Sequence, residues 1–181
     1  MTEKNARDPG GPVLSSYFLD TSALVKRYHE EAGSHSVDRL FQAAERNLII
    51  SDVSIIEFYS AIAKKVRIEE IDTKAFTNLR KRFAHDLNQG LYEIVRFGES
   101  EKRVATRLIT RYATSRPLRT LDAIQLALVN YPMPKGIELV TALKRLRSCS
   151  LEPLRPRALL RGALTSAHPA ARTVALPAEQ G

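Results

Sequence analysis

Short runs of apolar residues alternate along the chain with longer stretches in which apolar positions recur every three or four residues. The short runs are typical of buried strands, and the periodic stretches are typical of helices that pack one face on a core. Strands are predicted at residues 17–19, 48–50, 91–95 and 137–140. Helices are predicted at residues 21–28, 34–46, 53–66, 72–88, 99–113, 118–129 and 142–148. Because strands and helices alternate, we predict an α/β fold with a mainly parallel sheet and helices on its faces.

The two ends of the chain lack this pattern. Residues 1–15 contain a Pro-Gly-Gly sequence and few apolar side chains, so we predict a flexible N-terminal lead. Residues 150–181 are rich in proline, alanine and arginine, and we predict a divergent and mostly mobile tail. One domain is therefore expected, over residues 16–149.

Composition narrows the class of protein. Hydrophobic residues make up 44% of the chain, which is enough for a core, yet no stretch approaches the roughly 20 apolar residues of a membrane span. The N-terminus has no apolar run of the signal-peptide kind, so we expect a cytoplasmic protein. Cys149 is the only cysteine, which excludes an intrachain disulfide and a thiolate zinc site, and the four histidines are scattered.

The chain is basic, with a formal net charge of +8 and a pI of about 9.8. This favours a polyanionic partner, either nucleic acid or an acidic protein. Basic side chains cluster locally at residues 64–67, 80–82 and 103–111, the last with helical i, i+4 spacing. Each cluster is equally well interpreted as a solvated helix face, and the sequence does not separate the two interpretations.

Three acidic residues, Asp20, Glu57 and Asp122, lie where predicted strands or turns lead into helices. The carboxyl ends of parallel strands share one edge of a sheet, where ligands bind, so acids placed there can converge. Each acid also has a purely structural interpretation. Asp20 could cap a helix, Glu57 could form a capping box with Ser54, and Asp122 could interact favourably with a helix dipole.

Clustered carboxylates repel one another, and a bound cation offsets the cost of burying them. Magnesium prefers oxygen ligands and keeps several waters. Such an ion can bind a phosphodiester, lower the pKa of an attacking water and stabilise a leaving oxygen. An acidic cluster in a basic protein therefore suggests phosphodiester hydrolysis.

The segments that carry these acids resemble three motifs of the VapC-type toxins of the PIN-domain family. They are Leu19-Asp-Thr-Ser-Ala-Leu-Val-Lys-Arg-Tyr28, Ser54-Ile-Ile-Glu-Phe58 and Leu118-Arg-Thr-Leu-Asp-Ala-Ile-Gln-Leu-Ala127. The resemblance implies a three-layer α/β/α sandwich with a sheet of four or five strands. It also implies an endoribonuclease that uses Mg²⁺ or Mn²⁺, forms a homodimer and binds a cognate antitoxin protein.

By the same resemblance, Asp20, Glu57 and Asp122 would be the catalytic and metal-binding acids. Ser22 would place a hydroxyl near the metal or phosphate, although it could equally be a helix-start residue bonded to backbone. Thr141 offers a second hydroxyl.

The fourth motif departs from the family. The family pattern is Val-Thr-Ala-Asp-Lys-Arg-Leu, whereas this chain has Val140-Thr-Ala-Leu-Lys-Arg-Leu146, with Leu143 at the position of the expected aspartate. The loss of one carboxylate should weaken metal binding. The alternative function is therefore a weakened or inactive relative that binds antitoxin or RNA without turnover.

Two other classes fit less well. A phosphatase of the haloacid-dehalogenase type would need an aspartate two residues after Asp20, where this chain has Ser22. A helix-turn-helix regulator would account for the positive charge but not for acids at strand ends. Dimerisation is also open, because the apolar faces of helices 53–66 and 72–88 could pack on each other instead of on a second chain.

Overall fold

The computed structural model describes residues 15–43, 45–130, 137–141 and 172–175. In these ranges the chain forms five strands, β1 (Ser15–Leu19), β2 (Arg46–Ser51), β3 (Glu93–Val95), β4 (Ile137–Thr141) and β5 (Arg172–Ala175). It also forms six helices, α1 (Thr21–Tyr28), α2 (Ser34–Gln42), α3 (Asp52–Arg67), α4 (Thr73–Asn88), α5 (Glu99–Tyr112) and α6 (Thr120–Asn130). None of the described helices is both long enough and apolar enough to cross a bilayer.

The strands form one sheet in the order β3-β2-β1-β4-β5, and all four pairings are parallel. The central strand β1 pairs with β2 on one side and β4 on the other, with Phe18 opposite Ile49 and Leu139. A parallel sheet is stable when both faces are covered, and the middle residues of β1, β2 and β4 are accordingly apolar, with Phe18, Ile49 and Leu139 all buried. Asp20, the residue after β1, therefore lies in the middle of the carboxyl edge.

Alternate residues of the strands enter two separate cores, because successive side chains point to opposite faces of a sheet. Phe18, Ile49 and Leu139 pack with residues of α5 and α6. Their neighbours pack on the other face, with residues of α1 to α4; these neighbours are Leu19, Leu48, Ile50 and Val140. The predicted α/β class and its three-layer α/β/α arrangement are confirmed.

Helices α1 and α3 begin where strands end. Asp20 follows β1 and accepts a hydrogen bond from the backbone N–H of Ala23, and Ser51 ends β2 and accepts one from the N–H of Ser54. Such caps satisfy backbone donors that the first helical turn leaves unpaired. At each junction one capping residue thus connects the strand directly to the helix, which holds both helix starts at the carboxyl edge.

Several predicted boundaries were wrong. The second helix ends at Gln42 rather than at residue 46, because Arg46 already pairs with Ser15 in the sheet. Strand β3 begins at Glu93 rather than at residue 91. The chain first leaves α4 through Gly90, whose φ of 67° lies in the left-handed region that glycine tolerates.

The sheet includes a strand that the sequence did not predict. Residues 172–175 form β5, whose Val174 lies opposite Val140 of β4. At these four residues the expectation of a mobile tail does not hold, because their backbone takes part in the parallel ladder. The predicted N-terminal lead up to residue 14, the predicted helix at 142–148, and Leu143 with it lie outside the described residues.

Candidate active site

The carboxylate of Asp20 is held by three hydrogen-bond donors from different parts of the site. Its Oδ1 accepts from the N–H of Ala23 at 2.9 Å and from the hydroxyl of Ser22 at 2.7 Å. Its Oδ2 accepts from the hydroxyl of Thr141, at the end of β4, at 2.5 Å. Both hydroxyls that the sequence analysis singled out therefore orient Asp20. The predicted helix cap is also real, so Asp20 combines a structural contact with a position in the candidate site.

The side chain of Asp20 is almost completely inaccessible, at 1% exposure, and its charge is destabilised. Burial raises the pKa of this carboxyl group, the hydrogen bonds from Ser22, Thr141 and Ala23 lower it, and the charge of Glu57 raises it. The net effect is a pKa above the ordinary value of 3.8. A cation beside Asp20 would stabilise the ionised carboxylate.

Glu57 lies in the second turn of α3 and connects three helices. Its Oε2 accepts a hydrogen bond from the hydroxyl of Thr21 on α1 at 2.6 Å and another from the Nε2 of Gln125 on α6 at 2.8 Å. The capping-box interpretation of Glu57 is wrong, because Ser51, not Ser54, caps α3. Glu57 is instead oriented by long-range contacts, next to Asp20.

Asp122 lies in the first turn of α6 and is 2% exposed. Its Oδ2 accepts a hydrogen bond from the backbone N–H of Arg119 at 3.0 Å, so it stabilises the start of its own helix. Asp122 is linked to the pair of acids through α6, since Gln125 one turn later contacts Glu57. The described contacts thus bring Asp20 and Glu57 together and place Asp122 on the adjoining helix.

Gln125 is the site residue that the sequence analysis missed. It is 3% exposed, and its Nε2 donates to the Oγ of Ser54 at 3.1 Å as well as to Glu57. Its Oε1 is buried and has no hydrogen-bond partner among the described residues. The available signal was a polar residue between apolar neighbours, three positions after Asp122 and so on the same helix face.

The chemistry of these donors fits a hard divalent cation. The groups around Asp20 and Glu57 are carboxylate and hydroxyl oxygens, and Gln125 adds an unpartnered amide oxygen, all of which suit Mg²⁺ or Mn²⁺. Within the described ranges, however, no group of three acidic, histidine or cysteine side chains is assembled as a metal site. The donor types fit the ion, and two carboxylates are adjacent.

The sequence and the fold both match known proteins. The PIN domain family matches residues 17–150, which include the last three residues of β1, all of β2 to β4 and all three acids. The Mycobacterium tuberculosis VapC20 structure, described as a sarcin–ricin loop cleaving toxin, superposes with a TM-score of 0.57 at 15% identity, covering 77% of this chain and 99% of that one. No curated protein matches the chain in sequence.

Two further structures share the fold. A toxin–antitoxin complex from Klebsiella pneumoniae has a TM-score of 0.53 at 17% identity, covering 76% of this chain and 92% of the matched one. VapBC2 from Rickettsia felis, bound to a DNA fragment from its promoter, has a TM-score of 0.54 at 16% identity, covering 74% and 92%. Identities this low show the fold alone, whereas the family match spans well over half of the chain. The chain belongs to the PIN domain family.

Proposed function

We propose that this protein is a metal-dependent endoribonuclease, the toxin of a VapBC-type pair, which hydrolyses RNA phosphodiesters at Mg²⁺ or Mn²⁺. The observation that supports this most directly is the adjacent pair Asp20 and Glu57 at the carboxyl edge of the central strand. Asp20 is buried and its pKa is raised, so a cation bound beside it would favour its ionised form. The membership in the PIN domain family adds the class of activity.

In this proposal, Asp20 and Glu57 hold the ion, and Asp122 supplies a third carboxylate from the start of α6. Ser22 and Thr141 fix the orientation of the Asp20 carboxylate, and the hydrogen bonds to Glu57 from α1 and α6 fix that of Glu57. A divalent ion, when bound, would polarise the phosphodiester and make a water molecule more acidic. The residues around it keep both carboxylates in place without rearrangement, which is the geometric requirement for such catalysis.

RNA as substrate, an antitoxin as protein partner and a homodimer are parts of the same proposal. Support for RNA comes from the similarity to VapC20, described as a toxin that cleaves the sarcin–ricin loop. Support for an antitoxin comes from the similarity to the toxin–antitoxin complex of Klebsiella pneumoniae. The net charge of +8 suits either polyanionic partner.

A cleavage assay with Asp20→Asn tests the proposal. Asparagine keeps the size of the side chain and its helix cap but removes the charge that would bind the ion. With labelled ribosomal RNA and Mn²⁺, we expect cleavage by the wild type and a loss on the order of 100-fold in the variant. EDTA should abolish cleavage by the wild type.

The matched control is Asp38→Asn, which removes an aspartate paired with Arg27 on the surface, away from the site. Its activity should equal that of the wild type. Cleavage that survives EDTA, or that Asp20→Asn leaves intact, would exclude the proposed mechanism.

The second candidate is an inactive relative that binds RNA or antitoxin without turnover. Two observations favour it: Leu143 stands at the expected fourth-acid position, and the described residues assemble no group of three metal-binding side chains. Calorimetric titration of Mn²⁺ into the wild type and Leu143→Asp separates the candidates. A wild type that neither binds Mn²⁺ nor cleaves RNA, while Leu143→Asp does both, would establish the second candidate.

A further inference from the structure

The segment from residue 102 to residue 119 is strongly basic. Its 18 residues include six arginines or lysines and no acid: Lys102, Arg103, Arg107, Arg111, Arg116 and Arg119. The two acids of α5, Glu99 and Glu101, precede this segment. Glu99 is already paired with the Nζ of Lys102 at 2.6 Å, and Glu101 accepts from the N–H of Gly98 at 2.9 Å. The positive charge of the segment therefore exceeds what nearby acids balance.

Three of these arginines form a row on the outer face of α5, here called the basic stripe (Arg103, Arg107 and Arg111). All three are exposed, and their i, i+4 spacing places them on one side of the helix at steps of about 6 Å along the axis. The opposite side of α5, with Val104 and Leu108, packs in the core. The stripe is therefore held outward on a rigid helix.

Among the residues that the structure describes, the stripe makes no direct ion pair. In the described ranges, no carboxylate oxygen pairs with Arg103, Arg107 or Arg111, whereas Lys26, Arg27 and Lys65 each pair with one. Arg103 interacts with Glu99 and Glu101 only through longer-range electrostatics. Arg111 also lies over the ring of Tyr112, 5.5 Å from its centroid, a contact that does not neutralise its charge. Within the described residues, the three positive charges are therefore not balanced by a bound carboxylate.

The basic segment leads directly into the candidate active site. It ends at Arg119, whose backbone N–H donates to Asp122, and the next turn of α6 carries Gln125, which contacts Glu57. Helices α5 and α6 share one core, so the stripe and these site residues belong to the same packed unit. A polymer bound along α5 would therefore be held by a helix that packs beside α6, the helix that carries Asp122 and Gln125.

The chemistry of the face favours a phosphate backbone over an acidic protein. The exposed positions of α5 carry only charged residues and threonine, without the apolar or aromatic centre that protein interfaces have. Arginine binds phosphate oxygens in a bidentate manner, and a regular row of arginines fits a repeating anion. We infer that the basic stripe of α5 binds the backbone of substrate RNA outside the candidate active site, an inference that rests on the proposed ribonuclease function.

Binding of a fluorescein-labelled, single-stranded 20-nucleotide RNA tests the inference, measured by anisotropy in EDTA between 50 and 200 mM KCl. The test variant carries Arg103→Gln, Arg107→Gln and Arg111→Gln. The control carries Lys64→Gln, Lys74→Gln and Lys81→Gln, which removes the same charge from exposed positions on α3 and α4. All three proteins should unfold at similar temperatures, because every changed side chain is exposed.

We expect the stripe variant to bind at least about tenfold more weakly at 100 mM KCl, and its salt slope to fall by about 2, since each single-strand phosphate contact contributes about 0.7. The control should lose less than about threefold. Equal losses of RNA affinity in the stripe variant and the control would show that only net charge matters, and would overturn the inference. Unchanged RNA affinity in the stripe variant would also overturn it. If polyglutamate at equal charge displaces the RNA, the stripe binds acidic protein instead, and the inference is overturned.

Cleavage of the same RNA after Mn²⁺ is added reports separately on the proposed function. A wild type that binds through the stripe but does not cleave would contradict the ribonuclease and leave the stripe established. If the wild type cleaves RNA and the stripe variant binds RNA as tightly as the wild type does, the ribonuclease is supported and the role of the stripe is contradicted.

Discussion

At the scale of single residues, the molecule keeps a carboxylate where its charge is costly. Asp20 is buried beside Glu57, and the hydrogen bonds from Ser22, Thr141 and Ala23 do not fully offset the desolvation, so its pKa is raised. Strained or costly groups of this kind are typical of functional sites, because an apolar core residue would serve stability better. The cost has a measurable consequence.

We predict that Asp20→Asn stabilises the metal-free protein at neutral pH. Because the folded-state pKa of Asp20 is raised, its contribution to stability is fully present below the ordinary value of 3.8 and is lost as the pH rises through the raised value. Asparagine keeps the cap and carries no charge. Urea unfolding in EDTA should therefore show the variant to be more stable than the wild type at pH 7, with the difference shrinking toward pH 4. Asp38→Asn, in a partly exposed ion pair, should show no such gain, and a destabilised Asp20→Asn at pH 7 would contradict the argument.

Gln125 is predicted to position Glu57 rather than to stabilise the fold. Gln125→Met removes the amide that donates to Glu57 and Ser54, but it also removes the buried and unpartnered Oε1, so the net loss of stability should be small. Without that donor, Glu57 loses part of its orientation, and Mn²⁺ affinity should fall about tenfold or more. Calorimetry measures the affinity, with the exposed Gln42→Met as control. Unchanged Mn²⁺ affinity in Gln125→Met would leave Gln125 without a positioning role.

At the scale of elements, a network of charges connects the end of α1 to α3. The nearly buried ammonium group of Lys26 contacts Glu31 at 3.0 Å, and Lys65 of α3 contacts the same carboxylate at 3.1 Å. Burial raises the pKa of Glu31, but the hydrogen bonds and charges of Lys26 and Lys65 lower it by a larger amount. The net pKa is therefore below 4.5. This network fixes the far end of the helix that carries Ser22 and Thr21 at its start.

Glu31→Gln should therefore destabilise the protein in a pH-dependent manner. A carboxylate with a lowered folded-state pKa contributes stability above its ordinary value of 4.5, and that contribution is lost as the pH falls through the lowered value. We expect a loss of about 1 kcal/mol at pH 7, because the pair is partly exposed and screened by solvent. The loss should be smaller at pH 3 than at pH 7, and Glu30→Gln, at an exposed neighbouring position, should cost little at either pH. An equal loss at both pH values would point to packing instead of charge.

The sequence was most informative about which segments form helices and strands, and least informative about the residues at which they end. The apolar run before Asp20 and the 3.6-residue periods of α3 to α6 identified strands and helices, because both patterns are local. The end of α2 was missed because Arg46 joins a strand whose partner, Ser15, lies 31 positions earlier in the chain. Local propensity carries no information on such pairing.

At the scale of the whole molecule, β5 pairs with the outer side of β4, which would otherwise be the edge strand of the sheet. An unpaired edge strand exposes a row of backbone donors and acceptors. Truncation after residue 171 should therefore lower the melting temperature and speed hydrogen exchange in residues 137–141. Truncation after residue 176, which keeps β5, should change neither. Identical melting temperatures for the two truncations would show that β5 contributes nothing to the sheet.

The sequence by itself determined the alternation of strands and helices, the two-sided burial of the sheet and the presence of an acid after β1. These features depend on local periodicity and on the fixed geometry of parallel strands. Only the tertiary structure decided which donors meet each carboxylate. Thr21 and Gln125 reach Glu57 across 36 and 68 positions of the chain, and Thr141 reaches Asp20 across 121. Such contacts depend on how whole helices pack and on the rotamers this packing permits, and neither is encoded in a local pattern.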